Sequence, residues 1–353
     1  MSGGFVVEMA KKNKSDQDLV TEERKKFLEF EQESPEQLSL FALLDPRKES
    51  RYSNTVELYD FLPKYVGGKS TRINDRFLES IERDFECRGK KYSLTMHPAR
   101  VKTKTGVQKE YYLSKKEEIV EDALRKIAIF GEAIYLDKKI GMSFSIYQLQ
   151  KELKKSGHSF SRQQIIESLN VLANTKIVLT CHDDDQVWTF SPIETLGFKG
   201  INDETHTFVR FSALVTKSID ENTFRLYDYQ KVMSYKNVIA RQLHKRISHH
   251  FTQANFAQSY EITLTTLLRD FGLKPAASLY SNLEDVKDAL EEMKNRGTIL
   301  SYSIGEPTLD SQRRNKLLNV KFSINPSVQF LNEIRKGNEK KLQARELLAK
   351  TGS

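Results

Sequence analysis

Residues 145 to 175 read SIYQLQKELKKSGHSFSRQQIIESLNVLANT. Ile146, Leu149 and Leu153 recur at helical spacing and Gly157 follows the last lysines, which predicts a helix that stops at that glycine. After a short turn Ser161 precedes a second run, in which Ile165, Leu169 and Leu172 fall on one face. This predicts a second helix with Ser161 as its N-cap. KIVLTCH (176–182) and QVWTFSPI (186–193) then alternate as strands around Asp183, Asp184 and Asp185. Helix, turn, helix and hairpin in this order describe a winged-helix unit, and a small α+β core with no nucleic-acid role has the same pattern.

Upstream, SKKEEIVEDALRKIAIF places Ile119, Ala123, Ile127 and Phe130 at helical spacing behind Ser114, which predicts a first helix. KKYSLTMHPARV and QKEYYLS flank KTKTG and predict a hairpin. The same order returns about 120 residues later. YKNVIARQLHKRISHHFTQA is a basic amphipathic helix, and YEITLTTLLRDFGL gives a strand and a helix stopped at Gly272. SNLEDVKDALEEMKNRG predicts a helix capped by Ser281 with Val286, Leu290 and Met293 inside. TILSYSIGE and NVKFSINPS follow as strands around the long loop PTLDSQRRNKLL. The expected fold class is α+β: two tandem winged-helix (helix-turn-helix) domains at 51–203 and 235–335. A linker with a strand and helix occupies 204–234, and a tail follows at 336–353.

Residues 1–50 are rich in Lys, Glu, Gln, Asp and Ser, a composition unable to bury enough apolar surface to offset the entropy of ordering, so they are expected to form a disordered arm. A helix at TEERKKFLEFEQ would be marginal alone. This arm holds 8 basic and 11 acidic side chains, leaving 48 basic against 37 acidic in the remaining 303 residues. A basic body suits a polyanion, because Lys and Arg clusters release counterions from phosphates, although a basic protein with no such partner has the same composition.

Cys87 and Cys181 are the only cysteines and lack metal-ligand or disulfide-framework spacing, so no cofactor or metal is expected and a reducing, cytoplasmic setting is. No stretch approaches the length of a membrane span. VGGKST (66–71) resembles the end of a P-loop, but Pro63 stands where that loop needs glycine. His244, His249 and His250 have no further ligand at metal-triad spacing. Tyr111 and Tyr112 could suggest a DNA-nicking tyrosine, yet no histidine pair accompanies them. The chain is therefore expected not to be an enzyme.

If the partner is duplex DNA, the candidates lie on the second helices and the wings. Arg162, Gln163, Gln164 and Asn170 have side chains able to reach base edges, since Arg suits guanine and Gln or Asn suits adenine. In the second unit Arg313, Arg314 and Lys316 suit a backbone or minor-groove contact. Glu284, Asp285 and Asp288 crowd the end of the predicted helix that would enter a groove, which shifts the expectation to Lys287 and to Arg241, Lys245 and Arg246 on the first helix. The acidic tip at Asp183–Asp185 either points away from DNA or serves a protein contact.

VELYDFLPKYVGGK (56–69), KKEEIVEDALRKIA (115–128), FSIYQLQKELKKSGHSFS (144–161), FSALVTKSI (211–219) and LHKRISHHFTQA (243–254) together resemble the RepA plasmid replication initiator family, over about Tyr52 to Leu331. The resemblance implies a tandem winged-helix protein that binds repeated sites (iterons) in double-stranded origin DNA, promotes melting of the adjacent duplex and recruits the host initiator and helicase. It also implies a homodimer whose role differs from the monomer's. The acidic helix at 282–292 and the Asp183–Asp185 wing depart from what DNA contact favours. Gln37, Leu38, Ser39, Leu40 and Phe41 resemble the bacterial sliding-clamp-binding pentapeptide and give the arm a TrfA-like motif. Ser34, Pro35 and Gln37 also fit a capped short helix. Two rivals remain: a winged-helix transcriptional repressor without an initiator role, which would need no clamp motif, and a rolling-circle nickase, which would need metal ligands.

Overall fold

The computed structural model describes residues 51–66, 78–102, 106–129, 133–136, 139–198, 207–220, 223–310, 312 and 316–351. The expected arm and its motif at Gln37–Phe41 lie outside these residues, as do Arg313 and Arg314. The chain opens with β1 (Ser53–Val56) and a single helical turn, α1 (Glu57–Asp60). Next come β2 (Ile81–Cys87), β3 (Lys90–His97), β4 (Ala99–Lys102), β5 (Gln108–Tyr111) and α2 (Lys115–Ile127). The first repeat continues through β6 (Ala133–Leu136), β7 (Lys139–Phe144), α3 (Ile146–Lys155), α4 (Arg162–Asn174), β8 (Lys176–Cys181) and β9 (Gln186–Phe190).

Three helices of the first repeat begin where a serine side chain satisfies their free amides. Ser114, Ser145 and Ser161 each form a reciprocal capping box, with Glu117, Gln148 and Gln164 respectively. Gly157 takes a positive φ of 87°, which lets the chain leave α3 and enter α4 after a short turn. Leu149, Leu153, Ile165, Leu169 and Leu172 are fully buried, as their spacing predicts.

The β8–β9 hairpin does not project as an isolated wing. β8 pairs antiparallel with β3, giving a four-stranded sheet in the order β2-β3-β8-β9. Tyr92, Leu94 and Met96 alternate inward along β3, opposite Cys181, Leu179 and Ile177. The strands β10 (Ile193–Phe198) and β11 (Thr207–Phe211) form a second sheet in the order β10-β11-β7-β6. The segment expected as a linker, 204–234, therefore supplies an inner strand of the first unit. It continues through α5 (Ala213–Asp220), β12 (Phe224–Tyr227), which pairs with β1, and α6 (Tyr229–Ser234).

The second repeat contains α7 (Val238–His250), β13 (Tyr260–Thr263), α8 (Leu264–Asp270) and α9 (Leu279–Asn295). Then come β14 (Ile299–Ile304), β15 (Thr308–Asp310), β16 (Lys316–Asn319) and β17 (Lys321–Pro326). Its sheet has the order β13-β17-β14, and β15 and β16 form a separate ribbon within what the sequence suggested was a loop. The expected C-terminal tail is instead the second half of one helix, α10 (Val328–Thr351), anchored by buried Phe330 and Ile334.

The two repeats share one continuous apolar core. α8 packs against β2, where Arg83 reaches the carbonyls of Pro63 and Tyr65. Gly272 closes this junction: its φ is +61°, and an added Cβ would stand 2.3 Å from the Arg83 guanidinium.

Candidate nucleic-acid interface

α2 is buried on nearly every side, although its sequence is mostly charged. An amphipathic helix ordinarily turns its polar stripe to water. Here that stripe meets the second repeat and the N-terminal strand. Arg241 donates to Glu118 at 2.6 Å and Lys245 to both oxygens of Asp122 at 2.7 Å. Arg125 binds Asp60, and Lys64 lies 3.8 Å from Glu121. Four cations thus face four carboxylates inside the protein. Burial raises the Asp60 carboxyl, but Arg125, Lys245 and Lys64 outweigh it and hold it below the usual carboxylate range.

This seam corrects part of the expected DNA contact. The side chains of Arg241, Lys245 and Arg246 are only 0%, 7% and 11% exposed. Arg246 pairs with Asp270 at 2.9 Å and donates to the Tyr260 hydroxyl at 3.0 Å. The basic character of α7 that suggested phosphate contact instead neutralises α2, because both polar stripes are hidden by the same packing.

Arg162 and Gln163 are exposed on the opening turn of α4. Gln164 is engaged in the cap, where its side-chain oxygen accepts from the Ser161 amide at 2.8 Å. Asn170 donates back to the Ile166 carbonyl at 2.8 Å and is half-buried. The outward positions are therefore fewer than the sequence suggested.

Other cations are exposed on neighbouring elements. β4 packs along α4, and the β4–β5 hairpin exposes Arg100, Lys102 and Lys109. Tyr111 and Lys116 fix this hairpin and α2 to α4 through the two oxygens of Glu167, at 2.7 and 2.9 Å. Lys151, Lys154 and Lys155 are exposed along α3. The run KTKTG signalled this hairpin in the sequence.

Two of the three carboxylates of the acidic tip are engaged within its own sheet. Asp183 accepts from the Lys91 amide at 2.6 Å, and Asp184 pairs with Lys90 at 2.5 Å. Tyr111 donates to Glu167, and burial followed by this carboxylate pushes its phenol well up. Among the described residues, no group of three or more His, Cys, Asp or Glu could hold a metal ion.

In the second repeat α9 starts one turn earlier than expected, with Ser278 rather than Ser281 as N-cap. Its first turn consequently contains no acid and presents Tyr280 and Ser281, with Lys274 exposed just upstream. Glu284, Asp285 and Asp288 lie further along, exposed, and Lys287 is held by Glu284 at 2.7 Å. Lys316 is exposed at the start of β16 and stands opposite Asp310 in the ribbon. The ribbon is tied to α9 by contacts along β16, where Leu317 is buried. Among the described residues no helix is long and apolar enough to cross a membrane.

No protein-family model matches this chain. No curated protein matches it either. Among solved structures it is similar to the Pi initiator protein in complex with iteron DNA, at 14% identity and a TM-score of 0.41, covering 60% of this chain and 91% of that one. It is also similar to two structures of domains 2 and 3 of RctB, each at 9% identity. One has a TM-score of 0.44 and covers 76% of this chain and 99% of that one. The other has a TM-score of 0.43 and covers 74% and 97%.

Proposed function

We propose that this chain is a winged-helix replication initiator of the RepA plasmid type, binding repeated sites in double-stranded origin DNA. The observation that carries the reading is the ionic seam between α2 and α7. It ties the first helix of one repeat to the first helix of the other, so that two helix-turn-helix units belong to one body. Exposed Arg162, Gln163, Lys102 and Lys109 supply one contact surface, and exposed Lys274, Tyr280, Ser281 and Lys316 the other; Arg313 and Arg314, outside the described residues, join the second in this reading. Phosphate contacts from such groups fix register, and the few side chains at the helix openings read bases.

In this reading the protein works in the cytoplasm, promotes melting of the adjacent duplex and engages the host initiator and helicase. Gln37–Phe41 bind the sliding clamp, with the Leu40–Phe41 pair as apolar anchor. Monomer and homodimer have separate roles. The protein performs no strand scission itself, and Tyr111, held by Glu167, is a packing residue. Incubation with supercoiled origin DNA and a divalent metal tests this: retarded but uncut DNA is expected, and a covalent protein–DNA adduct would end the non-enzymatic reading.

A further inference from the structure

A groove of about 630 Å³ runs along three turns of α10, between that helix and the 252–256 loop that follows α7. Leu331 and Ile334 of α10 line it. So do Phe256 and Leu342, whose side chains stand 65% and 58% exposed. The loop that presents Phe256 is built to do so. The Asn255 side chain accepts from the Ala257 amide at 2.9 Å and donates to the Gln253 carbonyl at 3.0 Å, which fixes the turn around the ring. Asn338 of α10 donates to the Thr252 carbonyl at 2.9 Å and ties the loop to the helix. Apolar side chains gathered along one groove and held open by hydrogen-bonded backbone mark an interaction surface, unlike single apolar residues scattered over a protein.

The described chain begins beside this same helix. Arg51 pairs with Asp228 at 2.5 Å, and the ring of Tyr52 lies 4.4 Å from the Lys336 ammonium, next in sequence to Arg335 of the groove. The N-terminal residues are therefore tethered at α10. Only DPRKES (45–50) separates Leu44 from Arg51, and those seven steps reach roughly 23–25 Å when extended. A helix with its side chains is about 10–12 Å across, so the apolar island Leu38–Leu44 has the reach to enter the groove. The lengths agree as well. Pro35–Leu44, as the short helix that Ser34 and Gln37 would cap, measures about 15 Å, and Leu331 to Leu342 along α10 about 16 Å. Charge complements the fit: residues 27–46 hold Glu29, Glu31, Glu33, Glu36 and Asp45 with no Lys or Arg. At positions that are not buried, α10 carries Arg335, Lys336, Lys340, Lys341 and Arg345 against Glu339 and Glu346.

We propose that this groove is the seat of the chain's own segment 34–44, with Leu40, Phe41 and Leu44 laid along Phe256, Leu331 and Leu342 and the flanking acids toward the cations of α10. An apolar helix face lying in an apolar groove is a recurring mode of recognition. In a helix starting at Pro35, Leu40, Phe41 and Leu44 share one face and Leu43 falls to its side. A short tether gives an effective concentration of millimolar order, so a contact too weak to form between separate molecules is populated within one chain. The seated segment hides Leu40 and Phe41, and any outside partner of these residues must displace it. The inference depends on neither duplex binding nor clamp binding.

A labelled peptide of residues 31–46, added to the full-length protein and followed by anisotropy, tests this. Leu40→Ala with Phe41→Ala should vacate the groove, and that variant should bind the peptide saturably, at least about tenfold more tightly than the unaltered chain, whose tethered segment competes. Adding Phe256→Ser and Leu342→Ser should abolish the binding while Tm holds, because both side chains are mostly exposed. In the otherwise unaltered chain, Leu43→Cys with Gln253→Cys should be joined within one molecule by a short bismaleimide, the native Cys87 and Cys181 being buried. No peptide binding by the vacated variant, or binding indifferent to the Phe256 and Leu342 substitutions, would overturn the proposal. Cross-links formed only between molecules, or a dimer that Phe256→Ser dissociates, would give the groove to a second copy and overturn it as well. A protein that meets both expectations yet binds neither duplex nor clamp would leave the inference standing and remove the proposed function instead.

Discussion

Arg241 and Glu118 meet at 2.6 Å across 123 positions, and 123 is also the offset between Lys115 and Val238, the first residues of α2 and α7. Lys245 and Asp122 repeat the relationship one turn later, again 123 positions apart. Equivalent positions of two repeated helices therefore face each other in the same order. That requires the helices to lie parallel and in register, as around a local pseudo-twofold axis. Opposite charges at equivalent positions, Glu and Asp on one copy and Arg and Lys on the other, make this contact possible within a single chain.

Breaking one partner of this seam should be far worse than removing both. Arg241 is fully buried, and its Nε and Nη1 have no hydrogen-bond partner among the described residues. Glu118→Ala would leave the guanidinium without its carboxylate at a cost of about 3–5 kcal/mol, whereas Glu118→Met with Arg241→Met should approach neutrality. Urea denaturation of the two variants checks this. Equal losses in both would mean that the pair is not coupled.

Stability should fall on mild acidification. Burial pushes His249 down to about 3 and also lowers His250 and His158. His249 lies 3.2 Å from the Thr55 carbonyl; donation to that oxygen favours the protonated ring, but burial outweighs it and keeps the ring neutral. The unfolded chain binds protons below about 6.5 that the folded chain refuses, so stability is flat above that pH and declines from there toward 3. The loss from His249 by pH 4 is on the order of 2–3 kcal/mol. His249→Gln, which keeps the donor, should make the decline of Tm between pH 7 and 4 shallower. An unchanged slope would remove His249 from the account.

The α2, α3, α4, α7 and α8 helices, the Ser114 and Ser161 caps and the Gly157, Gly272 and Gly297 stops were legible in the sequence, because local spacing and capping chemistry determine them. Which partner a polar stripe faces was not. The basic face of α7 read as DNA surface, and only its packing against the acids of α2 makes the two one buried seam. Ser278 and Ser281 are both competent caps, and the helix starts from the earlier one, which brings the partly buried Leu279 into its first turn. The long loop before β17 hid a ribbon for the same reason: strand pairing is non-local.

Cations on the first reading surface should carry much of the salt dependence of duplex binding. Arg162→Ala, Lys102→Ala and Lys109→Ala should each weaken it and lower the slope of log K against log salt by about 0.9. Arg313→Ala, Arg314→Ala and Lys316→Ala together should lower it by up to about three. A slope unchanged by either set would place the DNA elsewhere.

Leu40→Ala with Phe41→Ala should abolish binding to the sliding clamp while origin binding stays intact, as measured by surface plasmon resonance on each partner. Retained clamp affinity would remove Gln37–Phe41 as the motif. Leu43 and Leu44 are left in place so that the pentapeptide alone is tested.

Hydroxyl-radical protection mapping of the DNA flanking this protein's own gene tests the central claim most directly. Two linked reading helices on repeated sites predict evenly spaced protections recurring at a fixed interval, each spanning more than one helical turn. Uniform, sequence-independent protection, or none at low salt, would contradict it.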